Sequence, residues 1–415
     1  MQDHRRVVVT GLGIVTALGL DEASFWESML AGKCGLAGIK KFDTSEYKTK
    51  VSSEIDDEIL GPALKARKIR PADRSVDIAL LAAHQALEQA GLFHPGEPPE
   101  PSSMATVFGT GAGPSLSVFN ATRKFLDRGL TGIRPSTVPT CIINAVSAQI
   151  SMRFKLRGPN FVVVSACTSA TAAIGTAFKM VRDGQMESVL AGGTDAMINP
   201  LIFGAWNNLG VMSANPDPET ASRPFDMDRN GLVLGEGAGA LVVETLGSAV
   251  KRGAPIRAEI CGFGESSDAE HITRPDPEGQ AAAMKAALGS AGVSPADIGF
   301  INAHGSATRT NDECESISIR RVFHSAADDI PVASNKSFFG HLLGACGAVE
   351  TITTILGLET GRVPGNRNLV NPDPKCDLHL VGREAREVDS PYAMKNSFGF
   401  GGHNAVLVLR RWDDS

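Results

Sequence analysis

Apolar, β-branched runs closed by glycine recur along this chain and leave few folds open to it. In the first half they lie at 6–10 before Gly11, 105–108 before Gly109, 161–165, and 188–191 before Gly192. Runs without polar alternation read as strands covered on both faces. Helical periods separate them: residues 75–90 place Val76, Ala79, Leu80, Ala83 and Leu87 on one face and stop at Gly91. Strands and helices in alternation specify an α/β fold. A second series follows Lys251-Arg252-Gly253-Ala254-Pro255, with a strand at 256–261, a helix at 279–291, and strands near Phe300, near Pro331 and at 405–409. Two comparable halves, 1–255 and 256–415, are therefore expected, in keeping with a length of 415 residues that exceeds one ordinary core. The long polar segment 213–231 is expected to cover a site.

Composition removes several function classes. A net charge of -6 argues against a general nucleic-acid binder, which needs a broad cationic field. No apolar run reaches the roughly 18 residues of a membrane span, and residues 1–10 lead into a strand rather than a signal segment, so no membrane association and a cytoplasmic location are expected. The seven cysteines are odd in number, scattered and free of C-x-x-C pairs, which points away from a disulfide framework or a metal site. Each is more often a small buried apolar residue than a reactive one, so reactivity has to be argued from surroundings.

Cys167 has the most informative surroundings. The run 161–165 leads directly into Ala166-Cys167-Thr168-Ser169-Ala170, and Ala170, Ala173, Ile174, Ala177, Phe178 and Val181 repeat at helical spacing until Gly184. Cys167 is thus expected at a helix N-terminus, where unpaired amides and the dipole favour a thiolate by about 0.3–2 kcal/mol. On this segment alone, a catalytic cysteine and a buried structural one stay equally open. His304, in Asn302-Ala303-His304-Gly305, and His341, in Phe339-Gly340-His341, both fall in glycine-flanked turns expected just after apolar strands. Either alone is more often structural, but one cysteine with two such histidines is a more specific constellation. Neutral imidazoles there can donate to a developing enolate or oxyanion.

With these residues in view, the chain resembles the β-ketoacyl-(acyl carrier protein) synthase family over nearly its whole length. The marks are SACTSA at 165–170, ASRPFD at 221–226, GLVLGEGAGALVVE at 231–244, NAHGSATRTND at 302–312, SNKSFFGHLLGACGAVE at 334–350 and NSFGFGGHN at 396–404. The resemblance implies a thiolase fold, two related βαβ halves in a five-layer αβαβα sandwich, with the dimer interface in the N-terminal half. It implies that malonyl-carrier protein is decarboxylated and condensed with an acyl thioester on Cys167, extending a polyketide, polyene or fatty acyl chain by two carbons. Cys167, His304 and His341 take the catalytic positions, with Lys336 and Glu315 supporting them. Phe400, between Gly399 and Gly401, takes the oxyanion and gate position, with the backbone NH groups of Cys167 and Phe400 facing the oxyanion. Ser306, Thr308 and Thr273 take pantetheine-contacting positions, and Ala112 an acyl-pocket position often filled by a bulky residue. No cofactor is implied beyond the phosphopantetheine of the carrier protein. The implied partners are that carrier protein and a second subunit, identical or a chain-length-factor homologue; Lys65, Arg67, Lys68, Arg70 and Arg74 are candidates for receiving an acidic carrier.

Two features depart from the fatty-acid pattern. Ser306-Ala307 stands where Thr-Ser is usual, and Arg309-Thr310-Asn311-Asp312 is similar to type II polyketide ketosynthases. Asn302, Glu350 and Asn396 resemble positions that some relatives use around a monovalent cation, and Lys395 is a departure from that pattern and a candidate replacement for the ion; no metal is assigned. Housekeeping fatty-acid elongation is the alternative pathway. Three rivals carry less. A non-catalytic partner subunit is disfavoured by the intact Cys-His-His set. A thiolase is expected to have a second cysteine near Gly401-Gly402-His403. A dinucleotide oxidoreductase is suggested only by Gly11-Leu12-Gly13, which lacks the third glycine.

Overall fold

The first strand shows how glycine shapes the packing. Val7–Val15 (β1) is buried at every position and runs through Gly11 and Gly13, where the sequence pattern had suggested that it stops. The helix Arg74–Gln89 (α1) lies so close that a Cβ on Gly11 would stand 2.0 Å from the Ala86 carbonyl oxygen, and one on Gly13 1.9 Å from that of Ala82. These glycines serve helix-on-sheet contact inside a strand rather than a phosphate-binding turn, which removes the reason for a dinucleotide site. The structure is a computed structural model describing residues 5–413; the outermost residues of the two expected halves, 1–4 and 414–415, lie outside the described residues.

The other principal strands, in chain order, are Ala105–Gly109 (β2), Asn160–Val163 (β3), Ser188–Asp195 (β4), Gly237–Thr245 (β5), Ala258–Ser267 (β6), Ile298–Asn302 (β7), Val332–Ala333 (β8), Tyr392–Gly399 (β9) and His403–Arg411 (β10). They form one ten-stranded sheet in the order β8-β7-β9-β10-β6-β1-β5-β4-β2-β3. Its two sides repeat. Strands β1, β5 and β4 pair antiparallel, and β4, β2 and β3 parallel. Strands β6, β10 and β9 pair antiparallel, and β9, β7 and β8 parallel, in the same succession. Within the sheet, the described residues join the two sides through two residue pairs, Val8 with Glu259 and Val9 with Ala258.

Helices complete the layers. On one outer face α1 packs against β1 and β5, and on the other Pro277–Ala291 (α3) packs against β6 and β10. Between the sides lie Ser169–Arg182 (α2) and Cys346–Thr360 (α4), packed on each other and on strands from both. Being covered all round, α4 is buried from Cys346 to Leu358, as a helix hydrophobic on every face must be. This is the thiolase-type α/β sandwich expected. Segment 213–231 behaves differently from expectation: it lines no part of the cleft described below, and instead braces its underside, with the Ser222 hydroxyl donating to the Lys336 carbonyl at 2.8 Å. Among the described residues, no helix is long and apolar enough to cross a membrane.

The α2–α4 contact is close because Gly347 has no side chain: a Cβ there would lie 2.3 Å from the Thr171 amide nitrogen. Gly347→Val is expected to destabilise the protein by about 1–3 kcal/mol through overpacking, read as a lower urea midpoint with unchanged slope.

Candidate active site

The nucleophile is set by a tight turn. After β3 the chain forms a single 3-10 turn, Ala166–Thr168, before α2 begins at Ser169. Ala166 adopts φ +52°, a left-handed conformation uncommon for a residue with a side chain. The turn is held by the Ser169 hydroxyl, which donates to the Ala166 carbonyl at 2.7 Å and accepts from the Ser165 amide at 2.9 Å. Cys167 therefore stands one turn ahead of α2 rather than within its first turn. It is only 6% exposed. Burial pushes its thiol up to about 12, opposed by the charge of Lys336 and a backbone hydrogen bond from Phe400. Desolvation thus outweighs the dipole, and the resting group is a neutral thiol rather than the thiolate favoured by the sequence reasoning.

His304 follows β7 directly, as expected. His341 instead follows a short helical turn, Lys336–Phe339, with Gly340 at φ +70° between them. Its backbone is fixed to the 233–235 segment, with the His341 amide donating to Val233 at 2.6 Å and the Gly235 amide donating to His341 at 2.9 Å. The two imidazoles meet edge to face with centroids 5.3 Å apart. Burial, and then the positive charge of Lys336, hold both well below the usual histidine range. Each ring is therefore neutral. His341 Nδ1 accepts from the Leu343 amide at 2.9 Å, which assigns its proton to Nε2.

The charged groups behind the rings are fully buried. Lys336 Nζ donates to the His304 carbonyl at 2.5 Å, lies 3.5 Å from His304 Nδ1, and pairs with Glu350. An ammonium facing Nδ1 leaves Nε2 of His304 as the N–H that points away from it. Glu315 accepts the His304 and Gly305 amides, both at 2.8 Å, and the Asn396 side-chain amide at 3.2 Å. Burial pushes its carboxyl up to about 7 against those donors.

Cys167, His304, His341, Ser306, Thr308, Thr273, Gly399 and Phe400 line one cleft. Gly399 lets β9 approach the nucleophile closely, since a Cβ there would lie 3.2 Å from the Cys167 amide nitrogen. Phe400 stacks on Trp206 at 5.7 Å between centroids and 16° between planes. The Ser306 and Thr308 hydroxyls share a hydrogen bond of 2.9 Å. Gly401 follows Phe400 at φ +84°. Ala112 does not line this cleft but packs behind it, against the apolar cluster that contains Cys167, Met197, Ile198, Phe203 and Leu343.

Three contributors were missed as site residues. Glu350 was named only as resembling a position that some relatives use around a monovalent cation, whereas it pairs with Lys336. Asp195, at the end of β4, accepts from the Thr110 hydroxyl and from the amides of Gly111, Ala112 and Gly344, joining the Ala112 loop to the loop beyond His341. Trp206 carried no sequence signal linking it to Phe400.

The family model described as "Beta-ketoacyl synthase, N-terminal domain" matches residues 4–249, and "Beta-ketoacyl synthase, C-terminal domain" matches 257–370. A 3-oxoacyl-(acyl-carrier-protein) synthase 2 of Coxiella burnetii is 42% identical over 412 residues, covering 99% of each chain. The structure titled the ishigamide ketosynthase/chain length factor superposes with a TM-score of 0.90 at 32% identity, covering 99% of this chain and 100% of that one. One chain of the structure described as a type II PKS acyl-carrier protein in complex with its ketosynthase superposes with a TM-score of 0.88 at 27% identity, again over 99% of this chain and 100% of that one.

Glu315→Ala removes the acceptor of two buried amides. It is expected to lower stability by at least about 1–3 kcal/mol and to loosen the His304 turn, seen as faster amide exchange at His304 and Gly305.

Proposed function

The chain belongs to the β-ketoacyl synthase family and is a condensing enzyme, and from that premise we propose that Cys167 carries the acyl group while His304 and His341 serve the incoming malonyl thioester. The observation that carries this assignment is the single cleft in which the buried thiol faces two imidazoles kept neutral by burial and Lys336. Neutral N–H donors stabilise developing negative charge without first having to lose a proton.

In the first stage Cys167 Sγ attacks the acyl thioester carbonyl, the carrier's pantetheine thiol leaves, and the proton lost by Cys167 passes to it. The tetrahedral oxyanion faces the backbone amides of Cys167 and Phe400. In the second stage the malonyl thioester loses carbon dioxide. The enolate oxygen takes hydrogen bonds from His304 and His341, with Lys336 holding His304 in place. The enolate carbon then attacks the acyl-cysteine carbonyl, the C–S bond breaks, and the departing Cys167 thiolate takes a proton from solvent as the 3-oxoacyl thioester leaves two carbons longer. Phe400 acts as the gate beside the nucleophile. Ser306, Thr308 and Thr273 receive the phosphopantetheine arm, the only prosthetic group the reaction uses.

The small side chain of Ala112 beside the apolar cluster supports a roomy acyl channel and hence long polyene or polyketide intermediates. The Coxiella relative's name supports the alternative, fatty-acid elongation. The N-terminal half, 1–255, supplies the subunit interface, supported by the exposed apolar side chains of Phe125, Leu126, Leu130 and Val138; 256–415 supplies the histidines and the gate. The second subunit is an identical chain or a chain-length-factor homologue. An acidic carrier protein meets exposed Lys65, Lys68 and Arg70 together with the half-buried Arg67. Arg74 is withdrawn from that set, because it pairs with Glu236 at 2.6 Å and also with Asp57. The enzyme works in the cytoplasm, where carrier-borne thioesters are made.

Cys167→Ala is expected to abolish acyl loading and condensation, measured by intact-protein mass spectrometry after incubation with acyl- and malonyl-carrier protein. Normal product from that variant would sink the assignment. His304→Ala and His341→Ala should each slow decarboxylation by about 100- to 1,000-fold and loading much less.

A further inference from the structure

Lys395 is a fully buried lysine that the reaction as described leaves unused. It lies on β9 in register with Asn302 of β7, and its side chain is 0% exposed. Its Nζ stands 3.1 Å from Glu350 Oε2, while Lys336 pairs with Oε1 of the same carboxylate. That Nζ also donates to the Thr171 hydroxyl at 3.0 Å and to the Ser397 hydroxyl, and those two hydroxyls are 2.8 Å apart. Thr171 is on α2, four residues beyond Cys167, and Ser397 is on β9, three residues before Phe400.

Two buried ammonium groups on one carboxylate are not a stability device. Their desolvation is costly, and a buried ion pair is often no more stabilising than apolar residues of the same volume. Nor do these residues fit an additional cation, because the Lys395 ammonium already stands against the oxygen of Glu350 that Lys336 leaves free.

We propose that Lys395 is a positioning residue, the site's built-in cation, which holds Glu350 between two ammonium groups and ties the nucleophile's helix to the strand leading to the Phe400 gate. With Glu350 anchored on both oxygens, Lys336 keeps a fixed approach to His304. The charged and titratable groups facing this centre are Lys336, Glu350, Glu315, His304, His341, Cys346 and Cys167, contributed by the 304 turn, the helix carrying Glu315, the 336–341 segment, α4 and the nucleophile turn. Lys395 is among the positive charges that hold both histidines low. Removing it raises them, so the acid limb of decarboxylation moves to higher pH.

The inference rests on the assignment of Cys167, His304 and His341, which loading of the unaltered enzyme tests separately. Lys395→Met should slow malonyl decarboxylation by about 10- to 100-fold, the scale of a small misplacement of reacting groups. Cys167 loading should fall less, and the acid limb should move upward. Lys395→Ala should recover decarboxylation when ammonium, methylammonium or potassium replaces a bulky tetraalkylammonium salt at constant ionic strength, whereas the unaltered enzyme should be indifferent to that exchange. Wild-type decarboxylation and pH profile in a folded Lys395→Met protein would overturn the proposal. So would an unaltered enzyme that itself requires the small cation, or an equal, unrescued loss of both steps in folded Lys395→Ala. If Lys395→Met does not fold, Lys395→Ala prepared with methylammonium decides: a decarboxylation rate that rises with the amine while Cys167 loading stays constant supports the proposal, and wild-type kinetics independent of the amine overturn it.

Discussion

The contact between the two central helices is the constraint on which the rest depends. Gly347 brings α4 against Thr171 of α2, and those helices carry opposite parts of the site: the turn bearing Cys167 precedes α2, and Glu350 lies on the first turns of α4. The sheet contributes little to joining the halves, with two residue pairs between β1 and β6 among the described residues. What holds the sides in register is the apolar burial of α2 and α4 between them, at roughly 25 cal/mol per Å² of apolar surface removed from water. Geometry at the cleft is therefore inherited from helix packing.

Burial also sets the electrostatics. A cleft able to exclude water raises the cost of every uncompensated charge. The molecule meets that cost by leaving Cys167, His304 and His341 neutral and concentrating charge on Lys336, Lys395 and Glu350, each in contact with an opposite charge. Glu315 is treated differently, satisfied by amides rather than by a cation, and sits near neutrality. Neutral imidazoles beside a buried ammonium are donors that cannot readily become acids, which suits stabilisation of an enolate better than proton transfer.

Local chemistry was readable where it depends on nearest neighbours. The run 161–165 with the helical spacing from Ala170 to Val181 located the nucleophile's segment, and the glycine-flanked histidines pointed to a cleft. The motifs shared with the ketosynthase family tied these together. Reasoning of the same kind failed at Gly11 and Gly13, which look like a strand end because glycine lacks β propensity. They are strand interior, because α1 needs the space. It also failed at Cys167, where an isolated helix end suggests a lowered thiol, whereas burial from both sheet sides raises it.

The sequence by itself thus determined the α/β class and its repeated succession of elements, which are written in periodicity, and its short motifs, matched to the ketosynthase family, pointed to Cys167, His304, His341 and Phe400 but not to Trp206. Only the tertiary structure decided which way those groups are charged and what holds them. Arg74 is an exposed-looking cation until Glu236 closes on it, and Glu350 resembles a cation position until Lys336 and Lys395 reach it from other elements. Charge state depends on burial and on partners distant in the chain, and neither exists before the layers pack.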